Sequence, residues 1–187
     1  MEDWQIDASC KDDITVVDFA VPRVVPVLHA LAAVGLALWF ATVVLWPWLS
    51  AGVLSDAVTR RVESFLGTVF CHRITERSMG WYGGQLLVCS RCTGVIAGYL
   101  LGALLALCGA ERLPFWRIPW ALVLIGLMGL SWLGGMLGFL QAQWHFERVI
   151  AGACGGLGGY ILIARCAILL IHWMQRRAHR KLNEVAV

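Results

Sequence analysis

The sequence predicts an all-α integral membrane protein: a bundle of about four transmembrane helices with a Cys/His-containing connecting segment. Three observations carry that expectation. Of 187 residues, 59% are hydrophobic, 14% are charged and ten are tryptophan; a water-soluble domain of this size lacks the polar groups to cover so much apolar side chain. The apolar residues gather into four runs close to the roughly 20 residues that a helix needs to cross a bilayer. Between the first two runs, "FCHRITERSMGWYGGQLLVCSRC" (70–92) concentrates thiols, an imidazole and arginines in one short connection.

Taken in chain order, residues 1–22 form an acidic segment without the basic start or cleavage pattern of a secretory signal. Its lone Cys10 suggests no chemistry. Residues 23–175 form the membrane domain, with spans expected near 24–49, 93–110, 120–141 and 149–173. Residues 53–70, "VLSDAVTRRVESFLGTVF", mix charge with apolar residues at helical spacing, as an interfacial or packed helix that does not cross would. The last span holds one charge, Arg165, a functional-site candidate unless it reaches an interface. Tryptophans 46, 48, 116, 120, 144 and 173 fall at span ends, where amphipathic rings favour the headgroup layer. Residues 176–187 are a basic tail.

Four spans place the N-terminus, the loop at 111–119 and the C-terminus on one side. That side carries Lys11, Arg23, Arg112, Arg117, Arg176, Arg177, Arg180 and Lys181, against Arg60, Arg61, Arg73, Arg77, Arg91 and Arg148 on the other. The positive-inside rule then expects a cytoplasmic C-terminus. The balance tips clearly only if the arginines beside the cysteines are set apart as site residues.

Cys71-His72 and Cys89-x-x-Cys92 supply three thiols and one imidazole, the donor set of a tetrahedral zinc site, with iron as the alternative metal. Cys92 opens the second span, where the helix dipole and adjacent Arg91 favour thiolate. Gly80, Gly83 and Gly84 suit a tight return of the chain between the two pairs. Thiol–disulfide chemistry at Cys89 and Cys92, with Cys71 as resolving thiol, is a second reading of the same residues. Inert thiols are a third, and Cys108, Cys154 and Cys166 are read that way.

Arg73, Arg77, Arg91 and Arg148 could hold a phosphate or carboxylate of a lipid or substrate, or only snorkel to headgroups. His29 and His145 are each read as structural, His145 with the further option of an extra ligand or proton carrier. Gly94, Gly98 and Gly102 repeat every four residues on one face of the second span, while Gly155 and Gly159 do so on the fourth. Small residues at that period let helix backbones approach closely. Contact between these two spans would carry Arg148 toward Cys-x-x-Cys. Small-residue faces equally suit a homo-oligomer or an accessory subunit packed against other membrane subunits.

The residues Cys71, His72, Arg77, Ser78, Cys89, Arg91, Cys92, Thr93, Gly94 and Gly98 together resemble the signature of a family of small multi-pass bacterial and archaeal membrane proteins, domain-of-unknown-function family 2085. The resemblance covers roughly residues 60–160, with Arg148 and Gly152 matching its arginine ahead of a glycine-rich last span. The chain departs from it at Thr75, often proline in the family, and over "QAQWHFE", where the family has an asparagine-containing stretch. It implies a bacterial or archaeal cytoplasmic (inner) membrane location and one shared site, and it brings no activity. Phosphate-loop, serine-hydrolase, zinc-protease and haem-attachment motifs are absent from the sequence. The net charge of +3 sits mainly in the tail and speaks for topology, not for nucleic acid.

Overall fold

The computed structural model describes residues 21–69, 71, 78–81, 84–110, 114–139 and 145–185. Five helices account for most of them: α1 (Val21–Gly52), α2 (Asp56–Val69), α3 (Ser90–Leu107), α4 (Ile118–Met136) and α5 (His145–Val185). Two short strands, β1 (Gly80–Trp81) and β2 (Gly84–Gln85), pair antiparallel between α2 and α3. A 3₁₀ turn, Pro114–Trp116, precedes α4.

Among the described residues, four helices are long and apolar enough to span: Val25–Gly52, Ser90–Leu107, Ile118–Met136 and His145–Met174. α2 is not one of them. It is short, carries Asp56, Arg60, Arg61 and Glu63, and is tied to α1 where the Trp46 indole N–H donates to Glu63 Oε1 at 3.1 Å. α5 runs on past the bilayer length, so the basic tail continues the last helix as far as Val185.

Lipid removes the hydrophobic drive for helix association, leaving close packing to hold the bundle. The most extensive contact joins α3 to α5. A Cβ at Gly94 would strike the Val149 carbonyl oxygen, and one at Gly98 the Ala153 carbonyl oxygen. From the other side, Gly152 meets the Arg91 carbonyl and Gly156 the Val95 carbonyl. Residue numbers rise together along both helices, so α3 and α5 run parallel, as the second and fourth of four alternating spans must. Their backbones touch with no side chain between them. Gly155 points elsewhere, onto Met128 of α4, and Gly159 lies against Tyr99. In "GACGGLGGY" every face is small, and period alone does not pick which glycine meets which neighbour.

α4 leans on α5 in the antiparallel sense, with Met128 near Gly155 and Ala121 near Gly158. Two apolar clusters result. One gathers Ala33, Ala103, Ala106, Trp116, Tyr160 and Ile161, and the other Val43, Trp46, Leu66, Leu87 and Val88. Trp46 and Trp116 therefore face protein, not headgroups: Trp46 packs with Leu66, Leu87 and Val88, and Trp116 with Tyr160 and Ile161. Trp48, Trp120 and Trp173 are exposed at the bundle ends, and Trp144 lies outside the described residues.

Candidate metal centre

Three pieces of chain deliver the cysteines to one end of the bundle, where α1 and α4 finish and α3 and α5 begin. Cys71 follows α2 and is held by its N–H donating to the Leu66 carbonyl at 3.0 Å, a five-residue backward bond of the kind that terminates helices. The β1–β2 hairpin then rests on α1, where Gly84 comes so close to Pro47 that a Cβ there would lie 2.9 Å from the proline ring. Leu86, Leu87 and Val88, all buried, anchor the chain as it leaves the hairpin. Cys89 follows as the N-cap of α3 in extended conformation (φ −64°, ψ 158°), and Cys92 is the third residue of that helix.

The Sγ atoms of Cys71, Cys89 and Cys92 all lie within 4.8 Å of one another. Tetrahedral zinc with Zn–S bonds of about 2.3 Å would set its sulfurs about 3.8 Å apart, so small side-chain rotations suffice for metal. The Cys89 N–H donates to Cys71 Sγ at 3.3 Å, which favours negative charge on that sulfur. The Cys89 side chain caps no helix N–H, leaving its sulfur available. Three soft donors, a backbone N–H aimed at one of them and a helix N-terminus beneath fit a thiophilic cation. Three close cysteines are thus compatible with a metal ion.

The neighbouring His72, Arg73 and Arg77 lie outside the described residues. Arg91 and Arg148 line the same cavity of about 330 Å³ as the three cysteines, together with Val95, Met128, Trp132, Gly135 and Met136. The α3–α5 contact causes this juxtaposition, since the Arg91 carbonyl seats on Gly152, one turn past Arg148. Arg91 Nη2 donates to Ser131 Oγ at 3.4 Å, while its buried Nε has no hydrogen-bond partner. Arg148 is only 9% exposed.

Several residues here escaped sequence reasoning. Ser90, fully buried, has its Oγ 2.9 Å from His145 Nδ1. That bond fixes the start of α5 to the start of α3. His145 is not among the clustered sulfur ligands. Ser131 breaks the apolar run of α4 and was the visible signal for a polar contact. Glu147, with a buried Oε2 lacking a hydrogen-bond partner, lines a separate cavity with Ser131 and Cys154. At the far end Arg165, a functional-site candidate unless it reached an interface, donates its Nε–H to the Trp116 carbonyl at 3.0 Å. Cys108 and Cys166 are exposed and distant from the cluster in the fold, and Cys154 is half-buried.

Residues 71–163 match a protein-family model described as "Predicted membrane protein (DUF2085)". The matched segment begins at Cys71 and ends in α5 beyond the glycine-rich contact. No curated protein and no solved structure matches the chain.

Proposed function

We propose, for a chain whose residues 71–163 match this family of predicted membrane proteins, that Cys71, Cys89 and Cys92 bind a zinc-type metal ion at the rim of the helical bundle, and that Arg91 and Arg148 receive the anionic group of a lipid or substrate beside it. His72 is proposed as the fourth ligand. The observation that carries the reading is the convergence of three sulfurs, from two separate stretches of chain, within 4.8 Å.

Bound there, zinc would supply Lewis acidity or a fixed structural node. The residues around it have their own tasks. Two guanidiniums line the cavity beside the three thiols and give an anion a place to bind. The bidentate geometry of guanidinium suits a phosphate or carboxylate. The Ser131 hydroxyl holds Arg91 from the α4 side.

Metal analysis of protein purified without chelator tests the reading. One equivalent of zinc per chain is expected, and it is lost in Cys89→Ser and Cys92→Ser but kept in Cys108→Ser and Cys166→Ser. Metal-free protein whose Cys89 and Cys92 change mobility on oxidation would replace the metal centre with thiol–disulfide chemistry. Comparing zinc content in His72→Ala separates a closed four-ligand site from an open three-thiolate one.

A further inference from the structure

We propose that the ligand of the arginine-lined cavity is an anionic phospholipid that slides in from the bilayer between α3 and α4, its phosphate at Arg91 and Arg148 and its acyl chain along Val95 and Met128. This rests on the anion-binding half of the preceding reading and narrows it from any anion to one embedded in the membrane.

The shape of the cavity points to lipid. Its α4 wall extends from Met136, at the rim, to Met128, eight residues deeper, about 12 Å along a helix rising 1.5 Å per residue. A site for a small ion from water would not need that depth. α4 packs chiefly on α5 and meets α3 across the cavity through the long Arg91–Ser131 hydrogen bond, so among the described residues the two helices are held apart over most of the crevice. Trp132 and Met136, which line it, are 53% and 67% exposed, and on a membrane-spanning helix that exposure is to lipid and headgroup. The chemistry changes along the crevice: thiols and two guanidiniums at the end where α3 and α5 begin, apolar side chains further in. An amphiphile with a negative head matches both halves, whereas free phosphate matches only the first. The unpartnered Nε of Arg91 is a donor waiting in that polar half.

Gly135 offers a clean test. It lines the crevice, and a Cβ there meets nothing within 4 Å, so Gly135→Leu fills the groove without disturbing packing and favours helix. The full chain is placed in nanodiscs of phosphatidylcholine with a minor fraction of phosphatidylglycerol, and bound lipid is counted by native mass spectrometry. Zinc is measured on the same samples. One tightly bound phosphatidylglycerol is expected, with at least tenfold weaker binding in Gly135→Leu, in Arg91→Gln and in Arg148→Gln. Zinc content stays unchanged in Gly135→Leu, which separates this inference from the metal reading. Binding that survives Gly135→Leu, falls in the arginine variants and is displaced by inorganic phosphate would overturn the lipid in favour of a free anion. No preference for phosphatidylglycerol in zinc-replete wild type would overturn it outright, with the metal centre intact.

Discussion

The two ends of the bundle use the same residue types to opposite effect. At the end where α5 approaches its basic extension, Arg165 gives its Nε proton to the Trp116 carbonyl, and His29 Nδ1 lies 2.6 Å from the Tyr160 hydroxyl. Tyr160 meets Tyr99 and Trp116 edge-on, and Ala33, Ala103 and Ala106 fill the remaining space. At the cysteine end Arg91 lines a cavity with one buried nitrogen that has no hydrogen-bond partner among the described residues, and three thiols crowd together beside it. At the far end arginine and histidine each bond to a neighbouring element, while at the cysteine end two guanidiniums and three thiols line one cavity. That difference, rather than the presence of arginine or histidine as such, locates the site.

The hardest way to break the comparison is to remove the frame common to both ends. Gly98→Leu would drive a side chain into the Ala153 carbonyl and the Leu157 backbone, and backbone cannot step aside as a flexible side chain can. Overpacking of this kind costs at least about 3 kcal/mol where no neighbour can move. We expect the purified protein to lose its monodisperse peak in size-exclusion chromatography, with metal retention and the far-end packing failing together. A variant that kept the bundle but lost only metal would show that the α3–α5 contact is not the common frame.

A smaller and more discriminating effect comes from pairing two arginine substitutions. Arg165→Gln takes a charge-assisted hydrogen bond from a carbonyl, worth about 1.5–3 kcal/mol, and should lower thermal stability while leaving zinc and bound anion unchanged. Arg91→Gln loses only a long bond to Ser131, so its melting temperature should change little while anion binding falls at least tenfold. If Arg91→Gln proved the more destabilising of the two, the cysteine end would be a structural node like its counterpart.

How much of this was legible beforehand follows from the physics of each feature. Four spans could be read because bilayer thickness sets a length that Val24–Leu49, Thr93–Ala110, Trp120–Gln141 and Val149–Trp173 each approach. α2 could be read because Asp56, Arg60 and Glu63 interrupt an otherwise apolar helix. Cys-x-x-Cys and Cys71 stand out by residue type alone, yet their convergence depends on Gly84 settling against Pro47 and on buried Leu87 and Val88, which no spacing encodes. Trp46 and Trp116 misled for a related reason: position at a span end looks the same whether the ring meets headgroups or protein. The crevice wall on α4 was invisible, since Met128, Trp132 and Met136 look like any lipid-facing stripe until the neighbour of α4 is known. Arg165 stayed a functional-site candidate because the 3₁₀ turn that meets it contributes a carbonyl, and carbonyls leave no mark in a sequence.

The smallest effect sharpens the comparison most, because it tests whether the far end is a purely structural pair. Tyr160→Phe removes one hydroxyl and leaves the ring against Tyr99 and Trp116. His29, 7% exposed, would lose the contact of its Nδ1 with that hydroxyl. A net hydrogen bond contributes about 1 kcal/mol. The substitution should therefore lower the melting temperature by a few degrees, and His29→Phe combined with Tyr160→Phe should recover part of the loss by replacing both polar partners with apolar ones. Zinc content and bound phospholipid should match wild type in both variants, because Tyr160 lies near the Trp116 turn and three turns of α5 separate it from Arg148. A change in either readout would mean that the two ends communicate along α5, making the tight packing around Tyr160 part of the site rather than its support.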